Sequence, residues 1–429
     1  MRWCRRAFTS AARTALISSI QQWEEGSVPD RLIELQGLEA EIRGLEIRLG
    51  EWKFQSTMEG RWWSQLTALV ADIEALFDEE TGLVGDTVAA PFGWGVAKRL
   101  EFARVIEKRS LSGDGAQARW KEAIDGVASS PLYGGLQLMP QLGLLPIGSD
   151  RESGLWEFAH LQTGVPAVRG DDGELELNED MGVVLVLIPR GKFMMGAQAS
   201  ELQAQNYDPA ATHREYPPHE VELSPYFISK YEMTQGQWQR ITGSNPSSYP
   251  SILSPQEQLP TIDHSSVDHA AKDPLLYPVH LVQWGECSGW MVRLGLSLPS
   301  EAQWERGARA GTTTAWCTGQ EPESVLGSGV FDANFGTRVG GYPGNGFGLH
   351  DVHGNVVEWC LDGGWEAPYD VDCGVDPVAP GAGTDFREAR GGGYKSMAVD
   401  ARSAHRSRLH FNATQTDLGL RPAQRLRYQ

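Results

Sequence analysis

The sequence predicts an α+β protein poor in regular secondary structure, preceded by an α-helical region. Three observations carry this expectation. Two amphipathic runs with apolar residues three and four apart lie within residues 31–77. Beyond Met181 short apolar runs alternate with long irregular stretches and two capped helices. Finally, 49 glycines among 429 residues stand well above the usual level of about 7 %, which places much of the chain in turns. Fifteen tryptophans must then carry much of the packing.

The first run, Leu35, Leu38, Ile42, Leu45, Leu49 and Trp52, forms the apolar seam of a coiled coil, and Trp62, Leu66, Leu69, Ile73 and Leu76 continue the pattern. Two readings stay open: a homodimer through this N-terminal coil, with Ile42 at its middle, or a helical hairpin packing on its own chain. Residues 1–110 are read as this helical region. Residues 111–180 are read as a β-rich lead-in, because "YGGLQLMPQLGLLPIGSD" and "GLWEFAHLQTG" hold short apolar runs broken by Gly, Pro and Asp. The acidic "RGDDGELELNED" reads as an exposed turn and puts a boundary near 180, with residues 181–429 as the main domain. Within it "VVLVLIP" (Val183 to Pro189) reads as a buried strand. "TQGQWQRITG" reads as a helix with Thr234 as N-cap and Gly243 as its stop. "PSEAQWERGARAG" reads as another, with Pro299 and Ser300 at its start, Glu301 in its first turn and Gly311 at its end.

With 37 basic against 56 acidic residues the formal charge is −19, which disfavours nucleic acid and anionic membranes as partners. No apolar run approaches the roughly 18 residues of a membrane span. The basic N-terminal stretch is broken by Arg13 and polar residues before any signal-peptide core forms, so a soluble, cytoplasmic protein is expected. Cys4, Cys287, Cys317, Cys360 and Cys373 show no CxxC pair and are expected to be reduced thiols. His350 and His353 with Cys360 lack a fourth ligand at zinc spacing. Ser396, Asp400 and His405 supply the residue types of a hydrolytic triad without a GxSxG elbow. No Walker motif, HRD or DFG occurs, and "NAT" at Asn412 is a sequon by pattern only.

Six phrases in order are similar to one family: "VLVLIPRGKFMMGA", "PPHEVELSPYFISKYEMTQGQW", "PVHLVQW", "LSLPSEAQWERGARAG", "GNGFGLHDVHGNVVEWCLD" and "RGGGY…RSAHRSR…LGLRPA". Together, over residues of about 180 to 425, they resemble the formylglycine-generating enzyme (sulfatase-modifying factor) family. The resemblance implies a C-type-lectin-like fold. It also implies a copper ion held between two cysteines after the glycine turn, at positions that here are Ser396 and Ala401. Copper(I) needs soft thiolates, so neither copper nor formylglycine formation is expected; Cys360 and Cys373 are the nearest substitutes by sequence. The iron-binding sulfoxide synthases of the same family use three histidines, mostly in an N-terminal domain, whereas only His160 precedes residue 180 here.

The resemblance further implies a structural calcium site at "HDVHGNVVEW", with side chains of Asp351 and Glu358 and carbonyls of Gly354 and Val356 as ligands, a hard oxygen set that suits Ca²⁺. The alternative is a turn whose Glu358 pairs with an arginine. A second family calcium site at Asn334 and Phe335 lacks its acidic residue. In the closing segment Gly391 to Gly393 allow a tight turn. After it Tyr394, Lys395, Ser396, Met397, Val399, Asp400, His405, Arg408, His410 and Phe411 form a mixture suited to a contact surface. In the family this region lines the substrate-peptide groove, and in the variable proteins of diversity-generating retroelements it is the hypervariable ligand surface. The alternative is a set of ordinary loops with Arg402 and Arg406 as internal ion-pair partners. The N-terminal half resembles the segment before this domain in kinase-linked bacterial signalling proteins. The functional expectation is a non-catalytic family member binding a peptide or protein ligand through its C-terminal loops. Its alternatives are a formylglycine-generating oxidoreductase or a partner of a Ser/Thr kinase.

Overall fold

A computed structural model describes residues 96–248, 273–364, 374–379, 381 and 383–427. All of them fall in one compact unit, residues 90–429. The coil seam and Ile42 lie outside the described residues, as does Cys373.

The described chain begins with helix α1 (Val96–Glu107), one wide turn (Lys108–Ser112) and helix α2 (Asp114–Ser129). Helix α2 buries Ala116, Trp120, Ala123 and Val127, spaced three and four apart. Strands β1 (Leu144–Ser149), β2 (Trp156–His160) and β3 (Val184–Ile188) follow. A hairpin of β4 (Gly191–Met195) and β5 (His219–Leu223) precedes β6 (Tyr226–Ser229). Helices α3 (Gln235–Thr242), α4 (Trp284–Arg293) and α5 (Glu301–Arg309) come next. The chain closes with β7 (Val357–Gly363), β8 (Phe386–Arg390), β9 (Ser407–His410), β10 (Leu418–Gly419) and β11 (Ala423–Arg425).

One antiparallel sheet has the order β1-β2-β3-β6-β11, and a second has the order β10-β7-β8-β9. Strands β2, β3 and β6 are buried at every position, which explains why "VVLVLIP" is apolar without alternation. One hydrophobic core joins both sheets and α2 to α5, with Trp238, Trp304 and Trp359 among its largest fully buried side chains. Tryptophan does carry the packing. Among the described residues no helix is long and apolar enough to cross a membrane.

Strand β2 pairs with β3 across the expected boundary near 180, Glu157 opposite Val186. Lys230 of the main domain is buried, and its Nζ donates to Glu157 Oε1 at 2.7 Å and Asp150 Oδ1 at 3.0 Å in the lead-in. The lead-in is not β-rich throughout, because it opens with α2. The helix readings agree with the structure. Thr234 and Ser300 each close a capping box, with Gln237 and Gln303 respectively, and Gly243 ends α3 at φ 85°. At the end of α5 both Ala310 (φ 46°) and the expected Gly311 (φ 94°) are left-handed.

Candidate functional site

Strand β8 ends at Arg390, and the chain then turns through Gly391 (φ 95°) and Gly392 (φ 66°). A side chain on Gly391 would press on the Trp304 ring at 3.1 Å, and one on Gly392 would meet Ala401 at 3.0 Å. Glycine is therefore required twice over, by dihedral and by space. The Ser396 hydroxyl accepts from the Gly393 amide at 3.0 Å, and Ala401 is fully buried. The two positions expected to correspond to the family's cysteines are a turn hydroxyl and a packed methyl group. Cys360 lies in the core, where burial pushes its thiol well up and away from thiolate character. None of these groups fits copper(I), which needs soft thiolate ligands.

The loop is pinned from inside by arginines. Arg402 donates to Glu215 at 2.7 Å and also pairs with Asp208. Arg406 donates to Glu301 Oε2 at 2.7 Å, with Glu388 at 3.4 Å. Arg390 donates to Glu301 Oε1 (2.7 Å) and Glu305 Oε2 (3.1 Å) and to the carbonyls of Ser403 and His405. Burial alone would raise the Glu301 carboxyl, but Arg406 and Arg390 hold it at about 2. The ion-pair role weighed for Arg402 and Arg406 is therefore present, and it fixes the backbone from which the outer side chains project.

Outward, Lys395, Met397 and His410 are exposed, while Ser396, Val399, Asp400, His405, Arg408 and Phe411 are half-buried. His410 stacks on Phe411 (4.7 Å between centroids), and Arg408 lies over Phe386 at 3.7 Å. Tyr394 departs from the expected surface: it is 4 % exposed, with its hydroxyl on Thr416 at 3.0 Å. It braces the loop rather than offering a contact. The triad types do not form a triad. Ser396 is engaged with Gly393, Asp400 Oδ2 accepts from the Met397 amide, and His405 Nδ1 faces Arg402. His350 Nδ1 and His353 Nδ1 each meet a carbonyl at 2.7 Å, from Tyr342 and Ala401. Burial lowers both to about 4, so they are neutral packing groups.

The turn expected to hold calcium has Asp351, Gly354 and Asn355 at positive φ. Glu358 is fully buried, and its carboxylate accepts from Arg421 Nε at 3.0 Å, from an Arg421 terminal nitrogen at 2.7 Å and from Trp304 Nε1 at 2.7 Å. Asp351 Oδ2 accepts from the Gly340 amide at 2.7 Å, but its Oδ1 is buried with no partner. Burial pushes the Asp351 carboxyl up to about 6, against the Gly340 amide and Arg421. A third carboxylate, Glu232 on the segment after β6, was not singled out from the sequence. It accepts from the Val356 amide at 2.9 Å and from Asn355, and burial, then Asp351 and Glu358, raise it well above its usual value. Its only sequence signal is its place inside "SKYEMTQGQW". Three carboxylates thus face one arginine, and one oxygen is orphaned. That fits a hard cation at Asp351, whereas Glu358 already has partners. Among the described residues no three His, Cys, Asp or Glu side chains converge to hold a metal, so an ion here would lean on carbonyls such as those of Gly354 and Val356.

Residues 173–426 match the family described as the sulfatase-modifying factor enzyme 1-like domain. The chain is similar to the serine/threonine-protein kinase pkn1 of Chlamydia caviae, 29 % identical over 251 residues, covering 56 % of this chain and 37 % of that one. It is also similar to the formylglycine-generating enzyme of Mus musculus, 25 % identical over 292 residues and covering 56 % and 74 % respectively. Among solved structures it is similar to Treponema denticola variable protein 1, with a TM-score of 0.43 and 21 % identity, covering 57 % of this chain and 96 % of that one. The match spans well under half the length of the chlamydial relative.

Proposed function

Because the chain belongs to the sulfatase-modifying factor enzyme 1-like family, we propose that it is a non-catalytic member of it, binding a peptide or protein ligand through its C-terminal loop surface. What supports this is the pair Ser396 and Ala401, which the resemblance places at the family's cysteine positions, one spent on a turn and the other sealed in the core. Membership alone does not settle chemistry, and this pair offers no soft ligand. What remains is an arginine-pinned loop presenting Lys395, Met397, Arg408, His410 and Phe411, of which Met397, Arg408 and Phe411 are types enriched at interfaces. The test is incubation with a CxPxR peptide, copper and oxygen, followed by mass spectrometry. The peptide mass is expected to stay unchanged; the decrease that accompanies thiol-to-aldehyde conversion would overturn the proposal in favour of an oxidoreductase. A second reading, a partner in kinase-linked signalling, is favoured by the chlamydial similarity. The chain itself has neither HRD nor DFG, so the kinase would be another polypeptide or another part of a longer one.

Calcium belongs to the same proposal as a structural ion on Asp351 and the carbonyls of Gly354 and Val356. When bound it supplies charge that the three carboxylates lack. Glu358→Gln is a poor probe, because it also disturbs the Arg421 pair. Asp351→Asn keeps an acceptor for the Gly340 amide and removes the charge. With free calcium at a hundred times its dissociation constant the ion contributes about 2.7 kcal/mol. Chelation is expected to lower the melting temperature of the wild type and to leave Asp351→Asn unmoved. A wild type indifferent to both chelator and added calcium removes the ion from the proposal.

A further inference from the structure

A cleft of about 650 Å³ lies where the entry to β6, the connection between α4 and α5, and the chain at and after β11 meet. Its size is in the range of about 300–1,000 Å³ common for binding pockets. Pro225, Leu296, Leu361, Val378 and Leu426 give it apolar walls. Val378 belongs to a short segment tied down at both ends. The Asp376 amide donates to the Glu222 carbonyl at 2.9 Å, and Asp376 Oδ1 accepts from the Ser224 amide at 2.8 Å. At the other end the Ala379 amide donates to Asp362 Oδ1 at 2.8 Å. That wall is therefore formed before any ligand arrives. No residue of the C-terminal loop surface lines this cleft, so it is a separate site.

Three polar side chains line the cleft without using their hydrogen-bonding capacity. Gln424 on β11 is 6 % exposed, yet among the described residues no hydrogen bond engages its side-chain amide. Buried amides normally have partners. Arg425 and Arg427 are exposed, and among the described residues neither guanidinium has an ion pair or a hydrogen bond. In a chain of net charge −19, two cations without carboxylates in one cleft reverse the local sign. The one acidic residue of the lining, Asp376, already accepts from Ser224 and leaves the arginines in excess. The start of α5 also reaches the cleft through Ser300. Its first amides are taken by the capping box and, at Glu301, by Asp362 Oδ2. An anion here must be held by side chains, not by the helix.

We infer that this cleft binds a small organic anion, a carboxylate or phosphate monoester with a compact apolar body. The inference goes beyond the ligand-loop reading and does not depend on it. The oxyanion is held by Arg425 and Arg427, whose planar forks suit two oxygens at once. The Gln424 amide supplies a further donor, and the apolar body packs on Leu296, Leu361 and Val378. An organic cation would meet two like charges, and inorganic phosphate would leave the apolar walls uncovered.

The test is isothermal titration calorimetry of the full chain with phenylacetate and phenyl phosphate, compared with benzylamine and inorganic phosphate. At least one aromatic anion is expected to bind tenfold or more tightly than either comparison compound, and to weaken as salt rises. Which of the two binds more tightly assigns the head group. Arg425→Gln and Arg427→Gln change exposed side chains, so the melting temperature without ligand is expected to hold. Each is expected to weaken binding at least tenfold. Lys121→Gln, which removes an exposed cation on α2 outside the cleft, is expected to change nothing. Benzylamine binding as well as the anions, no heat at millimolar ligand, or arginine variants that bind like wild type would each overturn the inference. So would an equal loss in Lys121→Gln, because the attraction would then belong to overall charge and not to this cleft.

Discussion

Replacing Arg421 by methionine is expected to cost about 3–5 kcal/mol, the usual loss when one partner of a buried ion pair is removed. Arg421 is fully buried and holds three segments at once. It donates to the Ser229 and Lys230 carbonyls at the end of β6 (3.1 and 3.0 Å), to the His350 carbonyl at 2.8 Å, and to both oxygens of Glu358 on β7. Without it Glu358 keeps only the Trp304 indole, while Glu232 and Asp351 lose the one cation that offsets them. Urea unfolding checks the size of the loss. Should Arg421→Met fail to fold, Arg421→Lys keeps the charge but loses the planar bidentate fork, and an intermediate loss is expected. Arg421→Met combined with Glu358→Gln should recover part of the stability, because the uncompensated charge goes with the arginine. A loss below about 1 kcal/mol in the single variant, the scale of an exposed pair, would show that this cluster does not act as a buried anchor.

The parts legible in the sequence are those whose cause is local. A capping box is written within four residues, so Thr234 and Ser300 could be read from their neighbours. An unbroken apolar run such as Val183 to Pro189 marks a strand covered on both faces, and β3 is one. The glycines of the final turn were readable for the same reason. The pairing of β2 with β3 was not readable, because an acidic, glycine-rich stretch between them has the composition of a linker while the strands on either side share a sheet. Helix α2 was hidden by the glycines at Gly115 and Gly126, although its Trp120 and Val127 spacing is helical. Helix α4 contains Gly285 and Gly289, which mask it in the same way.

At the site, sequence reading could place Ser396, Ala401 and Asp351 only by order along the chain, as what the resemblance implies. It could not assign partners. Glu358 and Arg421 are 63 residues apart, and Arg402 reaches Glu215 across 187. Whether an arginine near the C-terminus faces solvent or core is decided by such pairings, and nothing local records them. Tyr394 fails as a surface residue for the same cause: its partner Thr416 lies 22 residues on, across the turn.

Arg390→Met is the second variant with a large expected effect, again about 3–5 kcal/mol at neutral pH. Its guanidinium is fully buried between Glu301 and Glu305 of α5 and donates to the Ser403 and His405 carbonyls, so it joins helix, sheet and ligand loop. The loss is expected to depend on pH with a definite sign. Glu301 has a depressed carboxyl, held at about 2 against burial by Arg406 and Arg390. Such a group contributes stability that is fully present above its unfolded value near 4.5 and is lost as pH falls through about 2. Removing Arg390 takes away part of that contribution, so the gap between wild type and variant should be widest near neutrality and should narrow between pH 4.5 and 2. Glu388 has the opposite character, raised to about 7 first by burial and then by Glu301, while Arg406, Arg214 and Arg390 oppose the rise. Losing Arg390 raises it further, which adds to the gap only above about pH 7. Urea midpoints for wild type, Arg390→Met and Arg390→Met with Glu305→Gln across this range check the argument. A gap independent of pH from 2 to 7 would mean that Arg390 acts through its carbonyl bonds and packing rather than through its charge. Loosening the Ser403 and His405 carbonyls should also cost ligand affinity at the loop.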